Sequence, residues 1–326
     1  MLKNEKGIAL ILTLLIITIL VVSILDFSHT MQIDITMTGN FRDGVKAYYN
    51  AKSGINFAIA LLKEDAENTE DTEEPSDDLT EKWAKSCYMP PLAIDDGVMS
   101  VCIVDENRKI NINGINENFK SENRLKALQR IIASLLDIDK DDDTIINIIN
   151  NIRDWIDPND ESRTAENAEQ SYYESLDPPY PCKNGPLDTI SEFRLIKGII
   201  EVVKENEKIK DVQELMEYLT VYPNVNEAGK ININTASRRV LESLCYEPEM
   251  VDVNEIIGHQ EEEPFENISQ IKDFIGCYNE IVDMIAVRSD YYSVDAKGEV
   301  NGIRKRILAV LKKDTDKIKI IYWKVE

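Results

Sequence analysis

The chain has 326 residues, 43% of them hydrophobic, with 60 acidic against 37 basic side chains and a formal net charge of -23. That length calls for at least two folding units, and the apolar fraction is ordinary for globular cores. So acidic a surface repels nucleic-acid phosphates and anionic lipid, which argues against nucleic acid as a partner, and it suits cations or basic partners.

The first seven residues carry Lys3 and Lys6 and end at Gly7. From Ile8 to Leu25 there follow 18 residues without a charge, about 27 Å of helix at ~1.5 Å per residue, enough to cross the hydrocarbon of a bilayer. Lysines ahead of the span predict a cytoplasmic N-terminus, with the remaining chain sent outward. A cleaved secretory signal would place small residues after the apolar run, whereas here Asp26-Phe27-Ser28-His29 follows. Two readings remain: a plain single-span anchor, or a leader removed after Gly7 with the greasy helix retained.

Beyond the span, Phe27 to Leu62 lacks proline. Its apolar positions Phe27, Met31, Ile35, Phe41, Val45, Tyr48, Ile55, Ile59 and Leu62 recur at helical steps. The membrane helix therefore continues as a striped rod, locally weakened at Gly39, Gly44 and Gly54 by ~1 kcal/mol each relative to alanine. A rod of this kind suits bundling with other rods better than it suits a simple tether. Glu64 to Glu81 then holds ten acidic side chains and no basic one, which reads as an exposed linker.

Alternation predicts a strand over Val98 to Val104. The C-terminal DYYSVDAKGEV, IRKRILAVLKK and KIKIIYWKVE predict three antiparallel strands with turns near Lys297-Gly298 and Asp314-Thr315. Helices are expected over Arg124–Leu136, Asp143–Trp155, Ile190–Ile196, Val212–Leu219, Arg238–Leu244 and Ile268–Ile275. KININGI (Lys109–Ile115) and KININTAS (Lys230–Ser237) echo each other, each an extended strip entering a helix, with Thr235 or Ser237 as N-cap. The fold class is α+β: a long N-terminal helix and a small antiparallel sheet, carrying a large inserted helical domain of two helix-hairpin-like modules. The expected boundaries are 1–7 leader, 8–25 membrane helix, 26–63 helix continuation, 64–108 linker and first strand, 109–287 insert, and 288–326 terminal strands.

Oxygen ligands crowd into DWIDPNDE, where Asp157, Asn159, Asp160 and Glu161 are followed by Glu169. Hard oxygens from a turn, completed by a distal carboxylate, are what Ca²⁺ takes. Asp137, Asp139, Asp141 and Asp143 alternate as in an EF-hand, but Asp142 and Ile148 stand where that loop needs glycine and glutamate, so helix capping is expected there. KININTAS resembles helix-hairpin-helix DNA-binding modules, yet no GxG hairpin follows it and acids do, which argues against phosphate binding. Two distant histidines and no GxSxG leave no enzyme reading. The five cysteines form no CxxC pair; in an oxidising compartment Cys245 with Cys277 and Cys87 with Cys102 are the first pairs to test.

The leader, Gly7, the apolar run and NFRDGVKAYYNAKSGINFAIALL together resemble the N-termini of type IV pilin-like proteins. More narrowly they resemble the minor pseudopilin K family of type II secretion, as do DWIDPNDE, YYESLDPPYPCKNGPLDTISEFRLIKGI and YLTVYPNVNEAGKININTAS. The resemblance implies cleavage after Gly7 by a prepilin peptidase, methylation of Ile8, a pilin-type unit with a helical insert, and calcium in the DWIDPNDE region. The implied site is the inner membrane, single-pass, with the bulk periplasmic. The implied partners are minor pseudopilins of the I and J types, the major pseudopilin, the inner-membrane assembly platform, the peptidase and the lipid bilayer. Most relatives of the wider class carry glutamate at the fifth mature position. Here it is Leu12, a departure typical of the K family and fitting for a subunit with no earlier neighbour's amine to meet. A minor pilin of a type IV pilus is the alternative.

Overall fold

A computed structural model describes residues 5–69, 76–115, 122–163, 168–224, 227–314 and 317–326. Lys3 and Lys6 thus contribute no described side chain. One helix, α1 (Glu5–Thr69), runs through the membrane span and the striped segment as 65 residues without interruption. The hydroxyls of Thr13, Ser23, Thr30 and Thr36 donate back to Leu10, Ile19, Asp26 and Gln32 carbonyls at 2.9–3.0 Å. Polar side chains in or near the span therefore satisfy themselves within the helix.

Strands β1 (Leu92–Ile94) and β2 (Gly97–Asp105) form a hairpin. The insert follows: β3 (Ile110–Asn111), α2 (Glu122–Leu136), α3 (Asp143–Ile156), α4 (Gln170–Glu174), α5 (Ile199–Glu205), α6 (Val212–Met216), β4 (Leu219–Thr220), β5 (Ile231–Asn232), α7 (Arg238–Leu244), α8 (Val253–Glu262), α9 (Tyr278–Ile281) and β6 (Ile285–Ala286). The chain ends with β7 (Tyr291–Val300), β8 (Ile303–Asp314) and β9 (Lys317–Val325). The main sheet has the order β1-β2-β7-β8-β9, antiparallel throughout. Asp105 at the end of β2 lies opposite Tyr292 in β7. The insert therefore leaves and returns between two paired strands, and the sheet closes as though it were absent.

The far half of α1 packs on this sheet. Ala47, Ala51, Ile55, Ala58 and Leu62, at steps of three and four, are buried with Val101, Ile103, Tyr292, Val294, Ala296, Ile307 and Leu311. Small residues bring helix and sheet close: a Cβ on Gly54 would stand 3.0 Å from the Ala296 Cβ. A second core, from Ile110 to Val287, belongs wholly to the insert.

The insert is built twice from the same wiring. β3 pairs with β4, and β5 with β6, each in parallel. In the first module Asn113 donates to the Leu187 carbonyl at 3.0 Å and accepts from the Leu187 N–H at 2.8 Å. In the second, Asn234 does the same with Phe265, at 2.8 and 2.9 Å. A capped 3₁₀ turn follows each, Thr189 with Glu192 and Asn267 with Gln270 closing reciprocal capping boxes.

Three expectations are corrected. The acidic stretch is not a free linker throughout: α1 extends to Thr69, and Asp77 and Asp78 are buried, because Lys313 and the Tyr292 hydroxyl meet Asp77. The β7–β8 turn falls at Asn301-Gly302, where φ is 49° and 81°, not at Lys297-Gly298, which lie inside β7. Neither Thr235 nor Ser237 caps α7 through its side chain; the Thr235 hydroxyl is drawn instead to Asp105, at 2.5 Å.

Candidate functional sites: the bare helix and the acidic loop

From Ile8 to Arg42 the described side chains of α1 are exposed almost without exception, Ile8, Ile17, Leu25, Phe27 and Ile35 among them. In water such a row would be untenable at ~25 cal/mol per Å² of apolar surface. Ile8 to Leu25 is long and apolar enough to span a bilayer. Phe27, Met31, Ile35, Met37 and Phe41 lie beyond that span and remain uncovered. Gly7 and Ile8 lie in the first turns of this helix, and Leu12 is exposed along it.

The acidic loop begins where Pro158 stops α3. Asp157 is the C-cap residue, its N–H donating to the Arg153 carbonyl. Asp157 Oδ1 accepts from the N–H and the side-chain amide of Asn159, at 3.2 and 2.9 Å. Asn159 Oδ1 accepts from the Glu161 N–H at 2.8 Å, and Asp160 from the Gln170 N–H at 3.1 Å. Asp154, Asp157 and Glu169 are buried, while Asn159, Asp160 and Glu161 are exposed. Arg163 lies between the first two acids, donating to Asp154 Oδ1 at 2.8 Å and pairing with Asp157. Burial, and after it the charges of Asp154, Asp157 and Asp160, push the Glu169 carboxyl up to about 7.

The expected ligands thus share one loop without meeting at one point. Among the described residues, three carboxylates whose oxygens lie within 4.8 Å of one another are Asp65, Asp77 and Glu81, at the foot of α1. In the acidic loop the donor chemistry fits calcium: buried carboxylates, an amide oxygen, and a glutamate pushed toward its neutral form by burial and, after it, by like charges. The cation in place is Arg163. Nothing in the local sequence marks Arg163 as the partner of these acids or Asp154 as fully buried.

Cys87 and Cys102 are joined, tying the 3₁₀ turn Ala84–Tyr88 to β2, and Cys245 and Cys277 are joined across the second module. Cys182 is a buried free thiol, which burial pushes up to about 11.

A bare apolar helix whose far half packs on a small antiparallel sheet, interrupted by a helical insert, defines a membrane-anchored, pilin-like subunit. Residues 108–224 match the family model described as type II secretion system protein K. The type II secretion system protein K of Pseudomonas aeruginosa is 26% identical over 98% of this chain and 93% of its own length. That of Aeromonas hydrophila is 24% identical over 60% of each. A chain in the crystal structure of the GspK-GspI-GspJ complex from the enterotoxigenic Escherichia coli type 2 secretion system shares the fold. Its TM-score is 0.70 at 18% identity, covering 89% of this chain and 99% of that one. The chain is thus similar over nearly its whole length to type II secretion system protein K, and the similarity supports the role of a minor pseudopilin, a structural component of that machinery.

Proposed function

We propose that this chain sits at the tip of a type II secretion pseudopilus, where it initiates assembly and contributes to export across the outer membrane. The observation that carries the reading is the division of α1, packed on its own sheet beyond Asp43 and bare before it. The bare half offers a greasy stripe to sister helices, while the bulky insert caps the bundle rather than fitting within a shaft. The relative of known structure is held in a complex with GspI and GspJ, so I- and J-type minor pseudopilins are the first partners to test. The major pseudopilin, the assembly platform and a prepilin peptidase complete the set. The chain spans the inner membrane once, N-terminus inside, with sheet and insert in the periplasm.

On this reading the peptidase cuts after Gly7 and Ile8 becomes the methylated terminus. Intact mass of the membrane-extracted protein is expected to show loss of the first seven residues plus one methyl group. An unprocessed chain, or a cut near Ser28, overturns the assignment. Gly7→Leu is expected to leave the leader attached and to abolish incorporation into filaments.

Calcium is the cofactor proposed for the acidic loop, held by Asp157, Asn159 and Glu169 with Asp160 and Glu161 at the rim, and replacing Arg163 as counter-charge. At a free concentration a hundredfold above its Kd, calcium would add about 2.7 kcal/mol of stability, lost on chelation as a fall in Tm. The sign with pH follows from Glu169. Its folded pKa lies above the ordinary carboxylate value, so the metal-free protein gains stability as pH falls through about 7. Calcium binding requires the ionised carboxylate, so the calcium-dependent increment shrinks over the same range. A Tm indifferent to chelator, or an increment that Glu169→Gln leaves intact, refutes this site.

A further inference from the structure

A cleft of about 280 Å³ opens where the two modules of the insert meet, between α2 and α7. Three cations line it, Arg130, Lys140 and Arg239, with Tyr246 on one wall and Ala133, Ile138 and Pro248 supplying apolar surface. Asp139 and Glu242 also line it, but both are engaged elsewhere. The Asp139 carboxylate accepts from the Asp141 N–H at 2.9 Å, and Glu242 is drawn toward Arg238 at 3.8 Å. Among the described residues, Arg130, Lys140 and Arg239 make no ion pair.

The walls are held in place. Arg130 donates through Nε to the Ser243 carbonyl at 2.6 Å and through Nη2 to the Leu244 carbonyl at 2.8 Å, clasping the C-terminal end of α7. Cys245, next in the chain, is tied to Cys277, so the backbone leading to Tyr246 is anchored on both sides. Lys140 lies 3.8 Å from the centre of the Tyr246 ring, and Gln129 holds the Lys140 carbonyl at 2.6 Å. Tyr246 nevertheless remains 58% exposed, an aromatic face open to a visitor.

We infer that this cleft binds an acidic, extended polypeptide segment, taking an internal aspartate or glutamate side chain between Arg239 and Lys140 and an apolar neighbour against Tyr246 and Ile138. The charge balance selects the class: three cations against two engaged carboxylates suit one singly charged group. A dianionic phosphate would leave negative charge uncompensated on a chain already at -23. Size agrees, since the cleft lies just below the ~300 Å³ at which drug-sized ligand pockets begin and suits side chains rather than a nucleotide. The inference goes beyond the filament assignment and does not depend on it, because the cleft lies wholly within the insert.

The test uses the full chain in detergent and a peptide with a single acid, Leu-Glu-Phe-Leu-amide carrying fluorescein on its N-terminus, against its glutamine counterpart, read by anisotropy. The acidic peptide is expected to bind at least about tenfold tighter than the glutamine one, a difference of about 1.4 kcal/mol. Arg239→Glu and Lys140→Glu are each expected to weaken it by about tenfold or more, and Tyr246→Ala to weaken both peptides. Inorganic phosphate at matched ionic strength is expected to leave binding unchanged. Melting curves of the charge-reversed variants are expected to match the parent, which separates lost binding from lost folding. Equal binding of the two peptides, no binding of either, indifference to both reversals, or competition by phosphate would each overturn the inference. None of these outcomes bears on whether the chain enters a pseudopilus.

Discussion

Gly298→Val is expected to lower the unfolding free energy by at least about 3 kcal/mol, at the upper end of what overpacking does, because the obstacle is backbone. A Cβ at this position would fall on the Ala47 carbonyl oxygen, 2.6 Å from the Ala51 N and 2.8 Å from the Asn50 Cβ. A flexible side chain could swing aside, but a helix backbone cannot. The rod would have to lift away from the sheet, loosening Ala47, Ala51 and Ile55, which are 0–1% exposed. Gly258 supplies the control: it lies inside α8, and a Cβ there would meet nothing within 4 Å. Gly258→Ala is expected to stabilise by roughly 0.5–1 kcal/mol through helix propensity. Denaturant unfolding of the full chain in detergent measures both. A Gly298→Val protein within about 0.5 kcal/mol of the parent would mean that helix and sheet are not in close contact, and the packing of the rod would need redrawing.

The same glycine shows where local reading of the sequence fails. Beside Lys297 it looks like a turn, yet it serves close approach of two backbones, a purpose that depends on a helix some 250 residues earlier. The true turn, Asn301-Gly302, carried the stronger hairpin signal a few residues on. What periodicity governs was legible: the uncharged span, the helical stripe and the alternation of β2. The doubling of the insert was legible only in part. KININGI and KININTAS announce it, but Pro186-Leu187-Asp188-Thr189-Ile190-Ser191 and Pro264-Phe265-Glu266-Asn267-Ile268-Ser269 repeat it as plainly. In each, the apolar second residue is gripped by a module asparagine. The acidic loop was legible as a donor set and not as a geometry, since nothing near Asp154 announces that Arg163 folds back onto it. Asp77 was not legible at all. Within a run of acids, no local feature marks the one that a lysine 236 residues away will bury.

That lysine carries the second large effect. Lys313 reaches Asp65 at 3.2 Å and pairs with Asp77, both at the foot of α1 and all three largely buried. Asp77 also accepts from the Ser289 N–H and the Tyr292 hydroxyl, each at 2.8 Å. Ser289 in turn donates to Asp105 at 2.6 Å and accepts from Asn232 at 2.7 Å. One polar network therefore joins the segment after α1, the sheet and the second module of the insert, so that strain on the insert reaches the membrane rod through hydrogen bonds as well as apolar contact. Lys313→Met keeps the stem and removes the charge that Asp65 and Asp77 face, and is expected to cost about 3–5 kcal/mol. The pH dependence separates charge from packing. Burial already raises the Asp65 carboxyl and pushes Glu81 up to about 9. Groups whose folded pKa is raised contribute stability at low pH that is lost as pH rises through the folded value. Without the lysine that opposes the rise at Asp65, this loss steepens. The Lys313→Met deficit is therefore expected to be largest near pH 8 and to shrink toward about pH 5, as the acids take up protons. A deficit equal at both values would assign the cost to lost packing of the lysine stem, and the network would hold the joint by shape rather than by charge.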